Sequence, residues 1–471
     1  MSVPTAPTTA ADAQARLRAA IKARIVTPAD PDYDALRGIM YGGFDLHPAL
    51  IVCVRNAAEI AATIATARET GLPLAIRGGG HSNAGHSVVD DGIVIDLREM
   101  TGLEIDPVAR TASAETGLTA GELSTAAAAH GLAIGFGDTG SVGIGGITLG
   151  GGVGYLARKF GLTIDNLVAA DVVTADGRIL RASEFEHPDL FWAIRGGGGN
   201  FGVVTRFVYR LQQLDGIVGG ILVLPATEAT VAGFIAAAEA AGEDLSTIAN
   251  VMPAPPMPFL PEAIHGQTVI FANLAWAGET AAGERAMAPF RALATPLLDM
   301  LRPMSYPELF PPEDDSYHPT AINHTMFIDR VDAGVASTVL DHLANSDASL
   351  RVAQIRVLGG AMARVPTDAT AFAHRKSRIM VNVAAFVDAP DQRPERQAWV
   401  DAFAAALDQG DAGAYVNFLS DEGEARVKAA YPNGTWDRLA AIKAVYDPTN
   451  LFCRNQNIPP VAGRTAEEGR A

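Results

Sequence analysis

The sequence predicts an α+β chain in which a glycine-rich α/β domain is interrupted by an antiparallel sheet backed by helices. Three observations predict it. A strand, a helix and a second strand run into the glycines Gly78, Gly79 and Gly80, and ten glycines then crowd the stretch from Gly135 to Gly154. Beyond Leu211 these clusters give way to apolar runs alternating with helical segments. At 471 residues the chain is too long for one ordinary core, so two domains, one interrupting the other, are expected.

Composition narrows the function. Hydrophobic residues at 48% against charged residues at 19% suit a compact folded chain. A formal charge of −17 with no basic run opposes binding to nucleic acid or to an anionic membrane surface. The two cysteines, Cys53 and Cys453, are far apart and make neither a disulfide framework nor a CxxC site. The first 25 residues hold no apolar core of signal-peptide length, and no stretch reaches the roughly 18 apolar residues of a membrane span. A cytoplasmic location is therefore expected. No HExxH or other metal spacing occurs among the ten histidines, so no metal site is expected.

In chain order, an alanine-rich segment to about Thr27 reads as a loose helix leading into a turn at Pro28, Pro31 and Tyr33. A strand at Ala49 to Val54 precedes Asn56, a helix cap, and a helix that ends at Gly71. The strand Leu74 to Ile76 then meets Arg77, the three glycines, His81 and Ser82, and a strand from Gly92 to Leu97 closes the turn. Glycines bare their N–H groups, so this loop can cradle an anion such as a pyrophosphate, with His81 beside a cofactor ring. It can equally be a glycine-rich turn with a satisfied histidine.

The ten glycines from Gly135 to Gly154 are too many for turns alone, because each costs order on folding and packs nothing. Bordered by Thr139, Ser141 and Thr148, they suit an extended dinucleotide lying along the backbone. Two GxGxxG matches, at Gly135, Gly137 and Gly140 and at Gly197, Gly199 and Gly202, lack the helix that a nicotinamide site needs. Ser141 lacks the first glycine of a hydrolase elbow. Further on, strands are expected at Gly216 to Leu224, Thr268 to Trp276, His324 to Ile328, Leu350 to Leu358 and Ile379 to Val387. Helices are expected at Thr227 to Glu243, Gly334 to Ala344 and Arg393 to Ala406, with Ala281 to Ala294 broken or kinked at Pro289. A last strand would put Tyr415, Asn417 and Leu419 on one face, where Tyr415 either lines a site or is a satisfied core tyrosine. A helix after Thr435 leads to Asn455, Gln456 and Asn457, and the tail beyond Pro460 is expected to fray.

Five stretches in this order carry a resemblance: RGGGHS from Arg77, VGIGGITLGGGVGYLARKFGLTIDN from Val142, RGGGGNFGVVT from Arg195, YVNFL from Tyr415 and YDPTNLFCRNQNI from Tyr446. From about Val26 to Pro460 the chain resembles the berberine-bridge-enzyme-like FAD-linked oxidases, flavoproteins of the vanillyl-alcohol-oxidase type. The resemblance implies a PCMH-type FAD-binding domain of two α/β subdomains at 26–211. It also implies an inserted substrate domain at 212–412, built on an antiparallel sheet backed by helices, and a return to the FAD-binding domain at 413–460. It implies FAD joined through His81 to the 8α-methyl group. The further cofactor-binding residues it implies are Arg77, Gly78, Gly79, Gly80, Ser82, Thr139, Ser141, Gly143, Gly145, Gly146, Gly150, Gly151, Gly154, Asn166, Val203, Val204, Asn455 and Asn457. Many members add a second bond from a cysteine in a CPTVG-like pattern. Here Thr139 occupies that place, so attachment through His81 only is expected, as in histidyl-only members such as the 6-hydroxynicotine oxidases.

The implied reaction is a two-electron oxidation of a small alcohol, phenolic or amine metabolite, with hydride passing to the flavin and O2 as the second substrate. Tyr415 matches the tyrosine that acts as base or orients substrate, with Asn417 orienting it. An ordinary tyrosine pKa of about 10 would have to be depressed for that role. Gln354 and Arg356 share a strand face that either meets substrate or is exposed. A carbohydrate oxidase, a dehydrogenase using another acceptor, and an inactive flavin-carrying binding protein are the alternatives. Substrate identity and oligomeric state are not legible.

Overall fold

The computed structural model describes residues 9–461 apart from Glu313 and Asp315, so the expectation for the tail falls mostly outside the described residues. The first layer is a four-stranded sheet in the order Arg24–Val26, Leu50–Cys53, Ile93–Asp96 and Leu74–Arg77, parallel among its last three strands. The helix Ala57–Thr70 connects two of them. Asn56 caps it by accepting from the Glu59 N–H at 3.0 Å, and Gly71 ends it in the left-handed region at φ 71°.

An antiparallel five-stranded sheet follows, ordered Leu103–Asp106, Thr111–Glu115, Val203–Arg210, Leu167–Val173 and Ile179–Ser183. The glycine-rich stretch lies against this unit and includes the short helix Ile144–Gly150. A two-stranded pairing of Leu132–Ala133 with Gln212–Gln213 closes it.

Residues 217–386 build an eight-stranded antiparallel sheet. Alternation divides its faces. Ala249, Val251, Ile355 and Val381 pack under the helices Glu228–Ala240, Ala333–Ala344 and Arg393–Leu407. The opposite face carries Ile248, which meets Tyr155 and Tyr306, and Phe327 and Met380, which meet Val153, Phe372 and Tyr415. The strand Leu245–Pro253 lies in the middle of this sheet and was not expected, because it is buried on both faces and shows no alternation. The helix Thr280–Arg291 is not broken at Pro289, which falls in its last turn, where only one backbone bond is lost.

The expected strand at Tyr415 is also corrected. Val416–Phe418 form a single 3-10 turn, closed by the Phe418 and Leu419 N–H groups donating to the carbonyls of Tyr415 and Val416. Segment 415–419 pairs with no strand; it crosses under the sheet.

The helix Thr435–Tyr446 then delivers a fully buried ion pair. Lys443 Nζ donates to Asp447 Oδ2 at 2.6 Å, to the Asn200 carbonyl at 2.7 Å and to the Phe452 carbonyl at 2.9 Å. Asp447 in turn accepts the Leu451 and Phe452 N–H groups at 2.8 Å. This network sews the C-terminal return to the loop before Val203. Lys443→Met leaves Asp447 charged and unpaired, and should lower the unfolding free energy by about 3–5 kcal/mol in denaturant titration.

Candidate active site

Between the glycine loops and the polar face of the large sheet lies a cavity of about 480 Å³. Its floor is backbone: Gly78, Gly79 and Gly80 on one side, Gly143, Gly145 and Gly146 on the other, and Gly198, Gly199 and Gly202 at one end. The two main loops touch where a Cβ added to Gly79 would stand 2.3 Å from the Gly143 nitrogen, and one added to Gly143 would stand 2.3 Å from the Gly79 nitrogen. Only glycine fits on either side. The contact brings His81 beside Ser141, whose Oγ lies 3.0 Å from His81 Nε2. Burial lowers the His81 imidazole to about 4, against the pull of the Ser141 backbone.

Of the expected cofactor residues, His81, Gly78, Gly79, Gly80, Ser82, Thr139, Gly143, Gly145, Gly146, Val203, Val204 and Asn455 line the cavity. Arg77 does not, and this is a correction: its guanidinium turns away to the carbonyls of Leu36 and Gly38. Ser141 reaches the cavity only through His81. Gly150, Gly151 and Gly154 lie off the wall, where other parts of the protein press on them. A Cβ on Gly150 would lie 1.9 Å from Asn417 Oδ1, one on Gly151 3.0 Å from the Phe372 ring, and one on Gly154 2.0 Å from the Phe136 carbonyl. Asn166 is spent on the carbonyls of Phe160 and Leu162. Asn457 is likewise off the wall.

Tyr415 is corrected as well. The 3-10 turn buries its ring to 1% exposure behind Val416 and Phe418, and it does not line the cavity. Its hydroxyl oxygen receives the N–H groups of Gly152 at 3.0 Å and Val153 at 3.1 Å and Asn417 Nδ2 at 3.0 Å. Burial still raises its pKa, outweighing those donors. Asn417 does line the cavity, with Nδ2 also donating to the Ile147 carbonyl at 3.1 Å.

The roof is polar. Gln354 and Arg356 face the cavity, and Asn382 stands cross-strand from Gln354. Arg356 pairs with Asp138, donates from Nε to Gln354 Oε1 at 3.0 Å and lies 5.2 Å from the centre of the Phe418 ring. Sequence reasoning missed Asp138, although it adjoins Thr139. Tyr41, His86, Asn382 and Arg454 were missed too, and no local pattern marks them.

An FAD fits these walls: a backbone floor with N–H groups for a pyrophosphate, apolar sides at Leu97, Ile147, Val204 and Phe452 for flat rings, and a buried, partnerless Asn455 Oδ1 for a hydroxyl. Residues 48–183 match the family model for an FAD binding domain, and residues 414–459 match the model for berberine and berberine-like proteins. (R)-6-hydroxynicotine oxidase of Paenarthrobacter nicotinovorans is 30% identical over 459 residues, which cover 93% of this chain and 97% of the relative. The chain belongs to the berberine-bridge-enzyme-like FAD-linked oxidoreductases. Among solved structures, 6-hydroxy-D-nicotine oxidase from Arthrobacter nicotinovorans superposes with a TM-score of 0.81 at 25% identity, covering 98% of this chain and all of the other. Xylooligosaccharide oxidase from Myceliophthora thermophila superposes at 0.83 and 25%, covering 96% and 100%. The fold is thus that of a PCMH-type flavoprotein, and the chain is an FAD oxidoreductase. Among the described residues no helix is long and apolar enough to cross a membrane, and no cluster of metal-ligating side chains occurs.

His86 also lines the cavity, and burial, reinforced by the Arg454 charge, lowers it to about 4. A histidine at 6.5 when unfolded and about 4 when folded binds its proton only in the unfolded chain between those values. Stability should therefore fall as pH drops from about 6.5 to about 4. His86→Asn should make that fall shallower in thermal melts taken across this range.

Proposed function

We propose that this chain is an oxidase of a small alcohol, phenolic or amine metabolite, carrying FAD on a single covalent bond from His81 and returning its electrons to O2 as hydrogen peroxide. The observation that supports this most is His81 itself, a neutral imidazole fixed by Ser141 on the rim of a glycine floor that suits a dinucleotide. Thr139 lines the same cavity and has no thiol to make a second bond. FAD, when bound, supplies a ring that accepts hydride and passes two electrons on. The chain supplies the rest.

Among the described residues Asp138 is the only carboxylate on the cavity wall, and Arg356 holds it in place. We assign the substrate's proton to Asp138, because it lines the cavity whereas Tyr415 lies buried behind the 3-10 turn. Tyr415 instead fixes Asn417, which touches the cavity. Phe418 offers a flat apolar surface, while Gln354, Arg356 and Asn382 offer hydrogen bonds. That polar roof also favours a second reading, a carbohydrate substrate, for which the amides of Gln354 and Asn382 would grip hydroxyl groups.

Acid precipitation should leave the yellow colour in the pellet, with the flavin on the tryptic peptide that contains His81. Colour released to the supernatant would remove the covalent bond from this reading. Screening hydroxylated heteroaromatics, benzylic alcohols, amines and oligosaccharides for flavin bleaching and peroxide release then separates the two substrate readings. With any substrate that bleaches the wild type, Asp138→Asn should slow anaerobic bleaching by about a hundredfold while leaving the bound flavin in place.

A further inference from the structure

We propose that the roof of the cavity is a surface of hydrogen-bond donors, built to hold the carbonyl oxygen of a neutral substrate such as a cyclic amide or ketone. This rests on the oxidoreductase reading above and takes the first of its two substrate branches. A terminal amide can face either way, and its neighbours decide which atom it offers. Here two chains of hydrogen bonds decide it.

The first chain starts at Arg356, whose guanidinium can only donate. Its Nε and Nη2 both donate to Gln354 Oε1, at 3.0 and 2.6 Å, which takes up both lone pairs of that oxygen. Gln354 must then donate from Nε2, and it does so to Asn250 Oδ1 at 3.0 Å. Asn250 carries the direction onward, with Nδ2 donating to the Phe271 carbonyl at 3.1 Å. Turning either amide round would set N–H against N–H and oxygen against oxygen.

The second chain reaches the same row of side chains from its other end. Strand register puts Asn250, Gln354 and Asn382 side by side on three neighbouring strands. Asn323, at 7% exposure, donates from Nδ2 to the Phe418 carbonyl at 2.7 Å and accepts the Ser420 hydroxyl on Oδ1 at 2.7 Å, which fixes its direction. The same Nδ2 donates to Asn382 Oδ1 at 3.1 Å. Asn382 therefore turns its oxygen to Asn323 and keeps its NH2 group unspent.

What remains for a ligand is N–H. Asn382 Nδ2 and Arg356 Nη1 have no partner among the described residues, yet neither is sealed inside protein, and both residues line the cavity. Gln354 Nε2 has a second hydrogen to offer. Asp138 answers the charge of Arg356, so the pair is neutral and a carboxylate ligand would bring an unbalanced charge. A hydroxyl can accept from these donors, but its own proton then faces more donors. A carbonyl brings lone pairs and no proton, and so matches the roof without loss.

The test titrates the full-length, flavin-loaded protein anaerobically by calorimetry with δ-valerolactam, cyclohexanol, cyclohexanecarboxylate and glucose. The lactam should bind about tenfold or more tightly than cyclohexanol, the effect of leaving one polar hydrogen unpaired. Asn382→Asp keeps the oxygen that Asn323 holds and replaces only the free NH2 group. It should weaken lactam binding by about tenfold and strengthen binding of cyclohexylamine, a reversal that a structural role alone would not produce. Equal affinity for lactam and cyclohexanol, tightest binding by the carboxylate or by glucose, no binding by any of the four, or wild-type lactam affinity in Asn382→Asp each overturns this inference and leaves the oxidoreductase reading standing. A wild type that takes up no FAD overturns both. If Asn382→Asp does not fold, the wild-type series still decides.

Discussion

Two stretches of backbone, at Gly79 and at Gly143, pass so closely that neither can carry a side chain. One stretch hangs from the parallel strands of the four-stranded sheet, and the other opens the helix Ile144–Gly150 beside the antiparallel sheet. The second is further pinned by the Ile144 N–H donating to the Leu118 carbonyl at 2.9 Å and the Ala120 N–H donating to the Val142 carbonyl at 2.8 Å. Because two separately built sheets meet at this one crossing, the cavity floor is as rigid as they are. His81, Ser141 and the row of bare N–H groups take their positions from it.

Charge is distributed against the average. The chain as a whole carries −17, yet its cavity is lined by Arg356 and Arg454, balanced only by Asp138 among the described residues. Arg454 spends one nitrogen on the Val88 carbonyl at 3.0 Å and leaves its Nε without a partner. A local cationic excess inside an acidic protein suits a site for a dianionic pyrophosphate, because the surface repels competing polyanions while the interior attracts one of the right shape.

The glycine loops were legible because a glycine run has few other uses, and the helices were legible through caps such as Asn56. The polar roof was half legible: the alternation that puts Gln354 and Arg356 on one face is local, but their partners Asn250 and Asp138 lie at distances along the chain that no pattern reports. The strand Leu245–Pro253 escaped because burial on both faces erases the period of two. Tyr415 misled for the opposite reason. Five residues of apparent alternation are also what a tight 3-10 turn between a buried phenol and a cavity-facing amide looks like. Arg77 misled because a cation beside a glycine loop looks like an anion's partner, whereas two carbonyls had already claimed it. Likewise, the crowding of glycines between Gly135 and Gly154 was read as room for a ligand, while Gly150, Gly151 and Gly154 make room for other parts of the protein.

The Lys443–Asp447 pair has a bearing on the order of events in the cell. It binds the Asn200 carbonyl, and Asn200 in turn accepts the Ile458 N–H at 3.0 Å, so the loop at one end of the cavity is held in part by residues made some 250 positions later. A ribosome that has finished both sheets of the first unit has still not produced a complete cofactor site. Contacts of such long sequence separation form late and slowly. The end wall of the cofactor site is therefore complete only once residues 443–458 have joined it, which makes the C-terminal return a part of the site.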